Sequence, residues 1–289
     1  LFAGPRPDPD LRRACAIFLP MVFGATVVQF NLFVGGVLAW HLGRGANTYL
    51  YLADRLVQLP LALLGISLAT AAFPRLGALL QAGDRAGAGR AMEATLSATA
   101  LLVLPAAAGL AVLAAPSVEL LFEDRKFTAS DTAATSATLA AYCAGLPAHA
   151  VSLLLVRLLQ AAGLLWIPVR AGGICAAANL LLGLWWMRPL GAAGLALATS
   201  AASLLQMALL LYAVRFCRLP CGDGAALASA ARRALAGAAA AALAATLASR
   251  AVSSWGAGAE VAAGIVAGLA ATLAVEGGAL RRGLAGPRA

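Results

Sequence analysis

An acidic and a basic residue, Asp54 and Arg55, stand side by side in the apolar stretch TYLYLADRLVQLPLALLGISLATAAF. An ionisable side chain within a membrane helix is costly, which makes it a functional candidate by default. Neighbours in sequence point about 100° apart on a helix, so the two side chains do not pair face to face. A guanidinium in a water-filled cavity can bind a phosphate or pyrophosphate through two hydrogen bonds. The alternative is that Arg55 extends to the headgroups of the outer leaflet.

Further polar side chains interrupt other apolar stretches. Gln29 and Asn31 lie in VVQFNLFVGG, and Asn179 and Thr199 lie in two later stretches. Amides at such positions commonly join helices through hydrogen bonds, and polar groups inside a membrane also line transport pathways. The residues alone leave both interpretations open. We add Gln29 and Asn31 to the candidate substrate-binding residues.

Residues that would indicate an enzyme are missing from the sequence. It contains no P-loop, no recognisable nucleophile–base pair and no motif for a metal site. The five cysteines are scattered, and no histidine joins the one close pair, Cys217 and Cys221, to form a zinc site. We therefore expect a protein that is not an enzyme and that needs no cofactor.

Composition indicates the class of protein in which these residues lie. Of the 289 residues, 62% are hydrophobic and only 11% are charged, whereas a soluble domain carries about 25% charged residues. The apolar residues form blocks of about twenty, the length that a helix needs to cross roughly 30 Å of hydrocarbon. We predict an all-α polytopic transmembrane bundle of about eight spans, with a tight hairpin between the fifth and sixth. The predicted spans are 15–40, 48–73, 95–115, 132–156, 171–187, 190–214, 234–252 and 258–279.

The distribution of basic residues predicts the orientation. Most of the 21 lysines and arginines lie in one alternating set of connecting segments. The positive-inside rule places those segments and both termini in the cytoplasm, and the loop around Glu119–Asp131 outside. The net charge of +9 is then explained by topology, and we expect no nucleic-acid partner.

Composition also divides the chain into segments. We predict a six-helix transporter lobe followed, after a basic linker, by a final helical pair. The predicted segments are a cytoplasmic lead-in at 1–14, the lobe at 15–214, the linker at 215–233, the helical pair at 234–279 and a cytoplasmic tail at 280–289.

Three segments together carry a family resemblance. They are YLADRLVQLPLALLGISLATAAFPRL (Tyr51–Leu76), LFEDRKFTASD (Leu121–Asp131) and PLGAAGLALATS (Pro189–Ser200). In order and spacing they are similar to the signature of the MurJ (MviN) flippase family. The resemblance extends from about Leu11 to Phe216.

The resemblance implies the last eight spans of a two-lobed flippase of the bacterial inner membrane, within the multidrug, oligosaccharidyl-lipid and polysaccharide exporter superfamily. The implied activity belongs to peptidoglycan synthesis and cell shape: alternating access moves lipid II, the undecaprenyl-pyrophosphate-linked precursor, to the outer leaflet. Arg55 would contact the pyrophosphate, and the final helical pair would flank a groove for the polyprenyl tail. The implied partners are lipid II or a related polyprenyl-pyrophosphate lipid, the bilayer and an amino-terminal lobe that this sequence lacks.

The family's monovalent-cation site is degraded in this sequence. The resemblance assigns Asn179 and Thr199 to that site, together with aspartates from the first and fifth spans. Gly35 and Gly183 stand at the positions of those aspartates. Without either carboxylate most of the negative charge of a sodium site is lost, and the coupling ion stays open.

Two other functions stay open. One is another exporter of the same superfold, for a polysaccharide-linked lipid or a drug; many arginines in the cavity of the missing lobe would favour pyrophosphate lipids, and acidic residues would favour cationic drugs. The other is a membrane scaffold that recruits cell-wall enzymes and transports nothing. Failure to move lipid II when paired with its upstream half would favour the scaffold.

Overall fold

The computed structural model describes residues 9–43, 45–124, 127–252 and 255–284. The described residues are almost entirely helical and contain no strand, which confirms the predicted all-α class. The helices are α1 (Pro9–His41), α2 (Ala46–Pro60), a π-helical turn (Leu61–Ile66), α3 (Ser67–Gln81), α4 (Arg85–Val112), α5 (Ala114–Phe122), α6 (Ala129–Ala161), α7 (Trp166–Phe216), α8 (Gly224–Val252) and α9 (Ala257–Leu284).

Helix α7 is a hairpin of two membrane-length arms. Its 51 residues are interrupted at Gly191, where φ is 59° and ψ is −136°, a conformation open to glycine because it has no Cβ. The side chains of Asn179 and Thr199, which are 20 residues apart, are joined by a hydrogen bond of 3.4 Å. A straight helix would separate them by about 30 Å. The chain therefore turns back within a few residues of the predicted hairpin.

Among the described residues, seven helical segments are long and apolar enough to cross a bilayer. Helix α7 is counted as one of the seven. Counting both arms of its hairpin gives eight apolar arms, in agreement with the predicted number. The surface of the bundle is also apolar: Leu63, Trp185 and Phe216 are 72%, 71% and 76% exposed. Such a surface suits a lipid solvent, in which exposed apolar side chains cost nothing.

Helix α6 lies at the centre of the bundle. It packs against α2, α3, α4, α5, α7 and the π-helical turn. Along it, Leu139, Leu154 and Leu158 are fully buried. It closely approaches the second arm of α7, where a Cβ on Gly145 would lie 2.5 Å from the Cα of Ser200. The Ser200 hydroxyl donates a 2.7 Å hydrogen bond to the carbonyl of Ala141. Small residues allow this contact between backbones, as is usual in membrane helices.

The final pair, α8 and α9, packs on α4. The segment before it is held by hydrogen bonds to the first turns of α4: Arg85 donates to the carbonyl of Arg218 at 2.7 Å, and the Asp223 amide donates to Glu93 at 2.8 Å. Helix α8 begins at Gly224, so more than half of the predicted linker is helical. Hydropathy detects only the apolar part of a helix, which explains why the predicted linker includes the first residues of α8.

Replacing Gly145 with Ala should destabilise the bundle. The added methyl group would overlap the backbone of Ser200, and such overpacking costs about 1–3 kcal/mol. The measurement is the melting temperature of the purified chain in detergent. Gly173→Ala is the matched control, because nothing lies within 4 Å of its Cβ and helical glycine is less stable than alanine by roughly 0.5–1 kcal/mol. Equal melting temperatures for the two variants would contradict the close crossing.

Candidate functional site

Asp54 and Arg55 are joined on α2 by a third side chain, Gln58. Gln58 donates a hydrogen bond through its Nε2 to Asp54, and its Oε1 accepts one of 3.1 Å from Arg55 Nη1. The guanidinium also lies over the ring of Tyr51, 4.7 Å from the ring centroid, a favourable cation–π geometry. The amide therefore links a carboxylate and a guanidinium that do not face each other.

Sequence reasoning identified Asp54 and Arg55 but missed Gln58 and Tyr51. The available signal was helical spacing: Gln58 follows Asp54 by four residues, and Tyr51 precedes Arg55 by four. Residues three or four apart are neighbours on a helix surface. Extending the pair along its own face would have found both partners.

The opposite face of α2 anchors this group. Ala53, Leu56 and Val57 are buried in an apolar cluster with residues of α4, α5 and α6. Because that face is fixed in the core, Arg55 points away from it and is exposed, while Asp54 is half-buried. Asp54 lies within electrostatic range of His149 on α6.

An exposed polar stripe therefore runs along α2, and we call Asn47, Tyr51, Arg55 and Gln58 the α2 stripe. Its members are spaced by four, four and three residues, and all are exposed. Arg55 is nine residues from the first residue of α2, about 14 Å along the helix axis. We expect a polar stripe at this depth to face protein or water rather than lipid.

The α2 stripe ends where the helix widens. Pro60 is followed by the π-helical turn Leu61–Ile66, and proline has no N–H to continue the regular ladder. The Ser67 hydroxyl donates to the carbonyl of Ala62 at 2.9 Å, which satisfies an acceptor within the widened turn. Gly65 packs closely there, because a Cβ on it would lie 3.3 Å from that of Ala150 on α6. Such π-turns are frequent at functional sites.

The other predicted residues form a separate group. Asn179 Nδ2 donates to Asn31 Oδ1 at 2.9 Å, and Thr199 Oγ1 donates to Asn179 Oδ1 at 3.4 Å. We call these three the amide cluster; it joins α1 to both arms of α7. Asn31, one of the candidate substrate-binding residues, is bonded to Asn179, which is what the helix-joining interpretation expects. Gln29 is exposed, and among the described residues no hydrogen bond connects it to either group.

The amide cluster does not fit a monovalent cation. A buried cation needs oxygen ligands and compensating negative charge, whereas this cluster has neutral groups and directs an amide N–H₂ at the Asn31 oxygen. Gly35 and Gly183 supply no carboxylate one turn further on. No group of three or more His, Cys, Asp or Glu able to hold a metal ion occurs in the described part of the chain.

The loop before α6 is tied to the first turn of α2. Tyr49 donates a hydrogen bond to Asp131, whose other oxygen accepts from the Thr128 amide at 2.8 Å and closes a capping box. Thr132 donates to Glu123 at 2.8 Å. Asp131, the last residue of one segment that carries the family resemblance, is therefore tied to Tyr49, two residues before the segment that begins at Tyr51.

Comparison with known proteins settles the family. The family model described as "Lipid II flippase MurJ" matches residues 5–265. The chain belongs to the MurJ family.

A relative in Vibrio cholerae is 35% identical over 208 residues, which are 70% of this chain. One in Rhizobium meliloti is 34% identical over 212 residues, or 73% of this chain. Both relatives carry the name "Probable lipid II flippase MurJ", and the chain spans about 39% of the length of each.

Two solved structures share the fold. One is lipid II flippase MurJ in an inward closed conformation, with a TM-score of 0.73 and 23% identity, covering 91% of this chain and 54% of that one. The other is an outward-facing MATE multidrug transporter of the MOP superfamily, with a TM-score of 0.60 and 18% identity, covering 93% and 64%. The predicted family and fold class are confirmed. MurJ membership and the apolar helices make this a multi-pass inner-membrane protein.

A cysteine at a position in the α2 stripe should be reachable from water. We expect Arg55→Cys and Gln58→Cys, in a chain without its native cysteines, to react with a small charged thiol reagent in native membranes. Leu181→Cys is the control: Leu181 is 68% exposed but lies on an apolar surface and should not react. If all three positions react alike, the α2 stripe does not face an aqueous cavity.

Proposed function

We propose that this chain is the carboxyl-terminal part of a lipid II flippase. Its substrate would be the undecaprenyl-pyrophosphate-linked precursor of peptidoglycan, moved from the cytoplasmic to the outer leaflet by alternating access. The relatives that share its family are named for this substrate. The observation that carries the proposal within this chain is the exposed guanidinium of Arg55 in the α2 stripe.

Arg55 has the donors that a pyrophosphate requires. A guanidinium has five N–H donors in a planar fork, and the contacts described above use one of them on Gln58. The remaining donors are available for two oxygens of a phosphate. Gln58 and the Tyr51 ring restrict the rotation of the guanidinium, so less conformational entropy is lost when the anion binds.

Asp54 limits the strength of that attraction. Its carboxylate stands next to Arg55 and reduces the net positive charge of the α2 stripe, which helps release because a substrate held too tightly is not transported. Gln58 keeps Asp54 directed at an amide rather than at the guanidinium. In this mechanism Asp54 and Gln58 position and moderate Arg55, and Gln29 lines the same cavity from α1.

The remaining segments have separate roles in the proposed mechanism. The π-helical turn after Pro60 gives α2 a place to bend as the lobes rock. The final pair, α8 and α9, would border a groove in which the polyprenyl tail stays in lipid. Both termini would lie in the cytoplasm, the substrate would cross without covalent chemistry, and an amino-terminal lobe would complete the cavity.

Lipid II transport should require both this chain and a first lobe. We expect the chain to restore growth of cells depleted of their own flippase when it is expressed with the amino-terminal lobe of the Vibrio cholerae relative, and to fail when it is expressed alone. The amount of lipid II in the outer leaflet should correlate with growth. It is measured by digestion with an added hydrolase that cannot cross the membrane. Normal membrane levels of the paired chain without any lipid II at the outer leaflet would refute the proposal.

In the paired protein Arg55→Ala should abolish growth support, because the α2 stripe contains no other cation to replace the guanidinium. Arg55→Lys should retain part of it, because lysine keeps the charge but loses the two-pronged geometry. Both variants need membrane levels equal to the parent, measured by immunoblot. Full growth support by Arg55→Ala would remove Arg55 from the mechanism.

The proposed orientation can be measured with single cysteines in the chain without native cysteines. Ser130 and Ala86 are both exposed, at opposite ends of the bundle. An impermeant maleimide added to intact spheroplasts should label Ser130→Cys at once and label Ala86→Cys after permeabilisation. The reverse pattern would invert the topology.

A further inference from the structure

The amide cluster is the polar link that holds α1 to the rest of the bundle. Among the α1 side chains whose burial the structure describes, Asn31 alone forms a hydrogen bond to another helix, accepting at Oδ1 from Asn179 Nδ2. Of the residues of α1 whose burial is described, Ala39 alone is buried. Its other attachments to α7 are apolar, including the ring contact of Phe23 with Trp166 at 6.0 Å between centroids.

Apolar contacts of this kind hold a membrane helix weakly. Lipid tails are as apolar as the side chains they would replace, so packing and hydrogen bonds decide helix association. The hydrogen bond between Asn31 and Asn179 therefore contributes to the position of α1. Packing also joins these helices, through the cluster of Ala39 with Ala192 and Leu195.

Hydrogen bonds connect the side chains of the amide cluster without an ion. The Asn31 oxygen receives the Asn179 amide at 2.9 Å. The Asn179 oxygen faces the hydroxyl of Thr199, which also lies 3.1 Å from the carbonyl of Leu195. A cation among these groups would need the Asn179 amide to turn and would displace the hydrogen bond to Asn31.

One helical turn away from the amide cluster, its surroundings are apolar. Gly183 follows Asn179 by four residues and is buried; a Cβ there would lie 3.3 Å from Leu195 Cδ2 and 3.4 Å from Leu38 Cδ1. Leucine methyl groups thus occupy the space that a carboxylate at this position would need. On α1, Gly35 follows Asn31 by four residues and likewise has no side chain to supply negative charge.

We infer that the hydrogen-bonded amide cluster takes the place of a monovalent cation in joining α1 to the α7 hairpin, and that Gly35 and Gly183 make this junction independent of sodium. The inference concerns how the bundle is held together and does not rest on the proposed transport of lipid II. A neutral cluster needs no counter-charge, so α1 stays attached whatever the sodium concentration.

The test is the melting temperature of the purified full chain in detergent, with sodium chloride titrated against choline chloride at constant ionic strength. We expect no dependence of the wild type on sodium. Asn179→Leu should melt at a lower temperature by the same amount in both salts, because it loses the link but changes no ion site. Asn31→Asp adds a charge with almost no change in volume and should gain stability as sodium rises, with saturation.

A saturable, sodium-dependent rise in the melting temperature of the wild type that Asn179→Leu removes would overturn the inference. It would also be contradicted by Asn31→Asp remaining indifferent to sodium, because missing negative charge would then not be what excludes the ion. Gly35→Asp provides a second charged variant, since nothing lies within 4 Å of a Cβ at Gly35 and the fold can accept it. Because these readouts are independent of transport, they hold whether or not the chain moves lipid II.

Discussion

The close crossing of α6 over the second arm of α7 is the contact on which the rest of the bundle depends. Gly145 allows the two backbones to meet, and Ser200 converts the contact into a hydrogen bond with Ala141. In lipid no hydrophobic effect drives helices together, so such contacts determine their positions. Helix α6 also packs against α2, α4 and α5, and its placement therefore fixes the face of α2 that is buried.

Polar side chains in this bundle have two kinds of surroundings, and their roles differ accordingly. In the amide cluster, hydrogen bonds between helices satisfy the polar groups, and the result is a structural link. In the α2 stripe, the partners come from the same helix and leave Arg55 with donors directed outward. The first arrangement stabilises a junction, and the second is suited to binding an anion.

Composition and hydropathy predicted the class of protein, the spans and the hairpin because the bilayer imposes a length and a polarity on every helix that crosses it. They placed helix ends less well. Helices α4 and α8 begin about ten residues before the predicted spans, since a helix can continue past the hydrocarbon where its residues are polar. The Asp54–Arg55 pair could be found because charge is rare in apolar stretches, and its role stays a prediction.

The sequence by itself determined a helical membrane protein of the MurJ family and drew attention to Asp54, Arg55, Asn31, Asn179 and Thr199. Only the tertiary structure decided how these residues are grouped: Asn31 is bonded to Asn179, and Gln58 on the same helix supplies the partner of the charged pair. The physical reason is that partners across helices depend on the rotation of each helix about its axis. Close packing between small residues sets that rotation, and hydropathy does not record it.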